Sequence, residues 1–162
     1  MNENTKNSIF FILLLIIIFG LFLFNKPKTL PQLEFKLING ENIVSAEIKN
    51  KIIVLNFWST DCTTCIKEMP DLAAIHNKFS DDVTLIAVAM PYDLPSRVLK
   101  FQEINKLPFN IALDTDGKIL KKFSEVKLTP TTIVVDQNKI IRNTVIGEIN
   151  LNQMEKLIMK LL

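Results

Sequence analysis

Seven residues from Ile52 to Trp58, all apolar except Asn56, lead within four positions to the first of two cysteines set three apart, Cys62 and Cys65. A run that is apolar at odd and even positions alike suits a strand covered on both faces. Beyond it, Cys65, Met69, Leu72, His76 and Phe79 recur at helical spacing. That spacing predicts a helix over about 63–79, with Pro70 expected to kink it. The cysteine pair therefore falls where a buried strand ends and a helix begins.

These are the only cysteines of the chain. Chance gives two of them a spacing of three on the order of one per cent of the time, so the spacing carries information. A structural disulfide gains most from closing a long loop, and a four-residue loop is a poor staple. It is a good redox switch. Thiolate is the nucleophile, and a helix N-terminus favours negative charge. Cys62, at the first turn, is expected to be the exposed attacking sulfur. Cys65, one turn deeper on the apolar face, is expected to release the mixed disulfide.

Elsewhere the pattern alternates strand and helix. Leu33 to Val44 reads as a hairpin turning at Asn39-Gly40. Val83 to Met90 reads as a second buried strand, Pro91 to Asn105 as a loop and then a helix, and Phe109 to Leu113 as a short strand. A turn follows at Asp114 to Gly117, then a helical turn or two at Ile119 to Phe123. Thr131 to Val135 and Lys139 to Ile146 read as strands joined by Asp136-Gln137-Asn138, and Leu151 to Leu162 as a closing amphipathic helix. Helices between strands imply a parallel component and the late hairpin an antiparallel one. The expected fold is α/β, a mixed central sheet with helices on both faces.

Ile9 to Phe24 is apolar apart from Gly20, and its 16 residues span about 24 Å as a helix. That is short for a bilayer core of about 30 Å, but Ser8 and Asn25 extend it, and Lys26 and Lys28 can snorkel. No pair of small residues follows in the arrangement a signal peptidase reads, which favours an uncleaved anchor. The chain divides into a tail over 1–8, a transmembrane anchor over 9–25, a linker over 26–31 and a domain over 32–162. Lys6 before the span and Lys26 and Lys28 after it leave the orientation near a tie. A net charge of +2, with 22% charged residues, excludes a polybasic nucleic-acid binder.

Zinc is the main rival use for such a pair, and a structural site needs four ligands. His76, the one histidine, lies 11 residues past Cys65 on the same predicted helix, about 16 Å along its axis. Two soft thiolates suit Cu(I) better, so a non-enzymatic copper-binding or copper-delivery protein is the alternative function. Glu68, three residues after Cys65, shares its helical face. From position alone it reads equally as a proton carrier for Cys65 or as a solvated glutamate.

Together these residues resemble the membrane-anchored, extracytoplasmic thioredoxin-like proteins of the TlpA/ResA type. The resemblance rests on Val54-Leu55-Asn56-Phe57-Trp58 before Cys62-x-x-Cys65, on Lys67-Glu68-x-Pro70 after it, and on Thr129-Pro130-Thr131-Thr132 before Ile133-Val134-Val135-Asp136. It covers about Pro31 to Leu162. It implies a thioredoxin fold with an N-terminal hairpin and one inserted helix near Leu94 to Asn105. It further implies that Pro130 is cis beside the dithiol, that Thr129 offers its backbone to a partner, and that Glu68 assists proton transfer. Trp58, Thr129 and Pro130 are expected to shape the site where a partner binds. Asn56 stands where cytoplasmic thioredoxins carry a buried aspartate.

Members of that family sit on the outer face of the bacterial cytoplasmic membrane. They are generally reductants in cytochrome c maturation, in copper-site assembly of respiratory oxidases, or in sporulation. The implied function is therefore a protein-disulfide reductase without a cofactor. Its partners would be protein disulfides and an upstream membrane electron donor, and the chain is expected to act as a monomer. Two positions depart from the family pattern. Asp61 replaces an aromatic residue before the first cysteine and is expected to disfavour the Cys62 thiolate by like charge. Thr64 replaces a proline that stiffens the turn.

Overall fold

The computed structural model describes residues 12–15 and 27–162. A three-residue loop over 38–40, closed by the Leu37 N–H donating to the Glu41 carbonyl at 2.8 Å and permitted by Gly40 with φ at +87°, joins β1 (Glu34–Lys36) to β2 (Asn42–Val44) in a small hairpin. Five further strands form the central sheet: β3 (Ile52–Trp58), β4 (Val83–Ala89), β5 (Asn110–Leu113), β6 (Thr131–Val135) and β7 (Ile141–Ile146). Their order is β5-β4-β3-β6-β7. β3, β4 and β5 are parallel, and β6 and β7 are antiparallel additions on the other side of β3. The helices are α1 (Thr63–Lys78), α2 (Pro95–Asn105) and α3 (Leu151–Leu161).

All seven residues of β3 are buried, as the unbroken apolar run requires of a central strand. Its side chains alternate between two cores. Ile52, Val54 and Trp58 join Met69, Leu72 and Ile75 of α1, Val98 of α2, and Met154 and Ile158 of α3. Ile53, Leu55 and Phe57 join Phe35 and Leu37 of the hairpin, and Ile119, Phe123 and Val126. The expected helices on both faces are thus corrected. All three α-helices pack on one face, and the other is covered by the hairpin and a 3-10 turn at Leu120–Lys122. The physical reason lies in the segment between β5 and β6, which is spent on turns. Buried Asp114 accepts from the backbone N–H of Ile119 (2.9 Å) and Leu120 (2.8 Å) and starts the tight turn there. Phe123 then packs edge-on against Phe57, with ring centres 5.3 Å apart.

Strand limits move by one or two residues from those expected. β7 begins at Ile141 because Lys139 takes a left-handed φ of 64° and belongs to the turn. α1 continues through Pro70 to Lys78. The anchor expected over 9–25 lies outside the described residues except for Ile12–Leu15, which are helical and exposed. Among the described residues no helix is long and apolar enough to cross a membrane.

Candidate active site

β3 ends at Trp58, whose carbonyl accepts from Met90 N–H at 2.9 Å and so holds the loop after β4 alongside the loop after β3. Ser59 is buried, and its carbonyl accepts from Cys62 N–H at 3.2 Å, closing a tight turn into α1. Cys62 is the N-cap of that helix. Its backbone is extended (φ −96°, ψ 102°), and its sulfur accepts from Cys65 N–H at 3.1 Å. A sulfur at this position takes the place of the usual capping oxygen and faces the positive end of the helix dipole. Thr64 Oγ1 lies 3.4 Å from the same sulfur.

Cys62 and Cys65 are joined as a disulfide. Cys62 is half-buried and Cys65 is fully buried. Cys62 is thus the more accessible of the two sulfurs. Asp61, just before it, is matched by a cation from a distant helix that no local pattern marks. Arg97 Nη1 of α2 lies 2.7 Å and 2.8 Å from the two Asp61 carboxylate oxygens.

Glu68 is fully buried on α1, one turn below Cys65. Its Oε1 accepts from Asn56 Nδ2 at 2.7 Å and its Oε2 from Ile149 N–H at 3.0 Å. Burial pushes its pKa up, the two hydrogen bonds oppose that, and the charges of Glu148 and Asp71 add to the rise. The net direction is upward. The solvated-glutamate reading of Glu68 is therefore excluded. A buried carboxyl of raised pKa one turn from a buried sulfur is suited to accept and return a proton.

Thr131 pairs with Phe57 across the β3–β6 ladder, so Pro130 leaves the sheet at the level of Trp58, at the same sheet end as the dithiol. The Thr129–Pro130 bond is cis, as the resemblance implied. Pro130 is buried and Thr129 half-buried, and Gly147 N–H donates to the Pro130 carbonyl at 2.8 Å. Trp58 corrects an expectation. It is fully buried and packs against Phe101 of α2 with ring centres 5.2 Å apart, so it supports the site from below and offers no surface to a partner. His76 lies half-buried against Phe109, at 6.3 Å between rings, away from the cysteines. Among the described residues no group of three His, Cys, Asp or Glu side chains is placed to hold a metal ion, so the copper alternative gains no third ligand.

Sequence reasoning missed Asp93, Arg97 and Ile149. Each is distant in sequence from the residue it bonds, and no local periodicity marks such a pairing. Asn56 was legible as a polar break in an apolar strand, but its partners were not.

The AhpC/TSA family model matches residues 27–144 of the chain. The sporulation thiol-disulfide oxidoreductase A of Bacillus subtilis is 31% identical over 124 residues, 75% of this chain and 74% of that protein. The thiol-disulfide oxidoreductase ResA of Bacillus thuringiensis is 28% identical over 134 residues, 83% of this chain and 77% of that protein. The crystal structure of StoA from Bacillus subtilis superposes with a TM-score of 0.67 at 28% identity, covering 78% of this chain and 95% of that one. The architecture is the thioredoxin fold that the resemblance implied.

Proposed function

The chain belongs to the AhpC/TSA family, and on that premise we propose that it is a membrane-tethered, extracytoplasmic reductant of specific protein disulfides. It is a thiol–disulfide oxidoreductase, as its relatives are named. The observation that carries the reading is the Cys62 sulfur capping α1, half-exposed, above a buried Cys65 and a buried Glu68.

The reaction follows from that layering. In the reduced protein the Cys62 thiolate attacks a partner's disulfide. A bond forms from Cys62 sulfur to one partner sulfur, the partner's own S–S bond breaks, and the departing thiolate takes up a proton. Cys65 then gives its proton to the Glu68 carboxylate and attacks the Cys62 sulfur. The Cys62–Cys65 disulfide forms and the second partner thiolate leaves. Two electrons have passed to the partner, so an upstream dithiol must restore the pair. Thr129 and Pro130 border the place where the partner's chain would lie, and a backbone contact at Thr129 would orient it.

The tether is assigned to residues 9–25, supported by their apolar composition and by the missing small-residue pair that a signal peptidase reads. Family resemblance supports the outer face of the membrane and a client in cytochrome c maturation or oxidase copper-site assembly. The decisive experiment is trapping. Cys65→Ser should accumulate a mixed disulfide through Cys62, which mass spectrometry identifies, and Cys62→Ser should accumulate none. Full turnover of a peptide disulfide by Cys62→Ser would overturn the mechanism. For the tether, carbonate washing should leave the chain in the membrane with residues 1–25 intact, and a soluble form starting near Lys26 would exclude it.

A further inference from the structure

Two contacts fasten the residues before Cys62 to the segment that opens α2. Asp93 is buried, and its carboxylate accepts from Thr60 N–H at 2.6 Å and Thr60 Oγ1 at 2.7 Å. Four residues on, Arg97 holds the Asp61 carboxylate at 2.7 Å and 2.8 Å. Consecutive residues, Thr60 and Asp61, are thus gripped by one short stretch of chain. The buried grip fixes the backbone on both sides of the exposed one.

An exposed ion pair ordinarily contributes little to stability, because two long side chains must be ordered in high dielectric. Here the side chains are 53% and 70% exposed, and stability is not what the pair is placed to serve. Asp61 is adjacent to the attacking sulfur. An unpaired carboxylate there would oppose the thiolate that the helix N-terminus favours. We propose that Arg97 is a positioning residue for Cys62, which cancels the Asp61 charge and turns that carboxylate toward α2, so that the helix terminus alone sets the reactivity of the sulfur.

The other charged groups at this end of the sheet are already engaged or stand apart. Glu68, beneath Cys65, is held by Asn56 and Ile149. Lys67 on the outer side of α1 pairs with Glu148 at 2.9 Å. Asp93 is occupied by Thr60, and Lys127 stands two residues before Thr129 on the proline loop. Among the described residues, removing Arg97 therefore leaves Asp61 as the newly uncompensated charge beside Cys62.

The inference rests on Cys62 being the attacking sulfur, and its test needs no partner protein. In the full chain carrying Cys65→Ser, Cys62 is the sole thiol, and its alkylation by iodoacetamide is followed against pH. Arg97→Ala should slow alkylation about two- to fivefold at neutral pH and low salt, the size exposed charge pairs carry, and move the profile to higher pH. Adding Asp61→Asn to Arg97→Ala should return the rate to the parent's. Arg97→Lys should stay within about twofold of the parent, and about 1 M salt should erase the differences, because it shortens screening to about 3 Å. A parental rate in Arg97→Ala would overturn the proposal. So would a double variant as slow as Arg97→Ala alone, which would mark Arg97 as merely structural. Failure of the reductase reading would appear in the trapping experiment and leave these rates unchanged.

Discussion

Asn56 on β3 donates to Glu68 on α1 across 2.7 Å, and the same amide nitrogen donates to Thr132 on β6 at 3.0 Å. One buried side chain thereby joins two strands of the sheet to the helix that carries both cysteines. The joint places a carboxyl in a fully buried position, where among the described residues it has no cation beside it and two uncharged donors hold it.

That arrangement fixes the pH dependence of stability from Glu68. Its folded pKa lies above the ordinary value of 4.5, so the protonated form is the one the fold prefers. The stability it contributes is full below about pH 4.5 and is lost as pH rises through the raised folded value. Glu68→Gln should remove that pH-dependent loss at the cost of one hydrogen bond, because its amide nitrogen cannot accept, so in melts the stability difference between the two proteins should shift in the variant's favour from acid toward neutrality. The same change removes the proton acceptor, and with Cys65 in place the release of a peptide from its mixed disulfide with Cys62 should slow by up to about 10²-fold in single-turnover kinetics.

Asn56→Asp would set a second carboxylate against Glu68, in a pocket where no cation among the described residues pairs it. Two carboxyls sharing one buried site cannot both ionise cheaply. The variant should lose about 3 kcal/mol or more at pH 8, the scale of an uncompensated buried charge, and recover much of it near pH 5. Urea unfolding at the two pH values measures the difference. Equal losses at both would show that the damage is the lost amide donor to Glu68 and Thr132 and that Glu68 does not feel the new charge.

How much of this was legible beforehand depended on range. β3 and α1 were readable because their signals are local: an apolar run without alternation, then a 3.6-residue recurrence. The dithiol was readable because both cysteines lie within one helical turn. Glu68 could be placed on the right face, but its burial could not be read, because Asn56 and Ile149 reach it from 12 and 81 residues away. Arg97 was hidden for the same reason. Its bond to Asp61 spans 36 positions and depends on the β4–α2 loop folding back beside the β3–α1 turn. Trp58 was misread because an aromatic residue near a reactive cysteine looks the same in sequence whether it lies above the sheet end or below it.

Trp58 tests that correction. Its indole N–H is buried without a hydrogen-bond partner, so the ring stabilises by volume and by contact with Phe101. Trp58→Ala should cost about 3–5 kcal/mol in chemical unfolding. Trp58→Phe keeps an aromatic ring, deletes the unpaired donor, and should cost less than about 2 kcal/mol. A Trp58→Phe loss as large as that of Trp58→Ala would mean that the indole nitrogen makes an interaction essential to the fold.

Asp136 supplies the opposite pH sign at the far end of β6. Burial alone would raise its pKa, but the bonds from Ile140 N–H and Arg142, with the Arg142 charge, outweigh burial and hold it below 3.8. Those bonds, at 2.9 Å and 2.7 Å, and a third from Asn138 N–H set the turn into β7. The stability this group contributes is present above about pH 3.8 and is lost as pH falls through the lowered folded value. Asp136→Ala should therefore cost about 1–3 kcal/mol near neutrality and progressively less in strong acid. Because the turn lies at the end of β6 opposite Pro130, the alkylation rate of Cys62 should stay at the parental value. A change in that rate would mean that the β6–β7 turn is coupled through β6 to the dithiol.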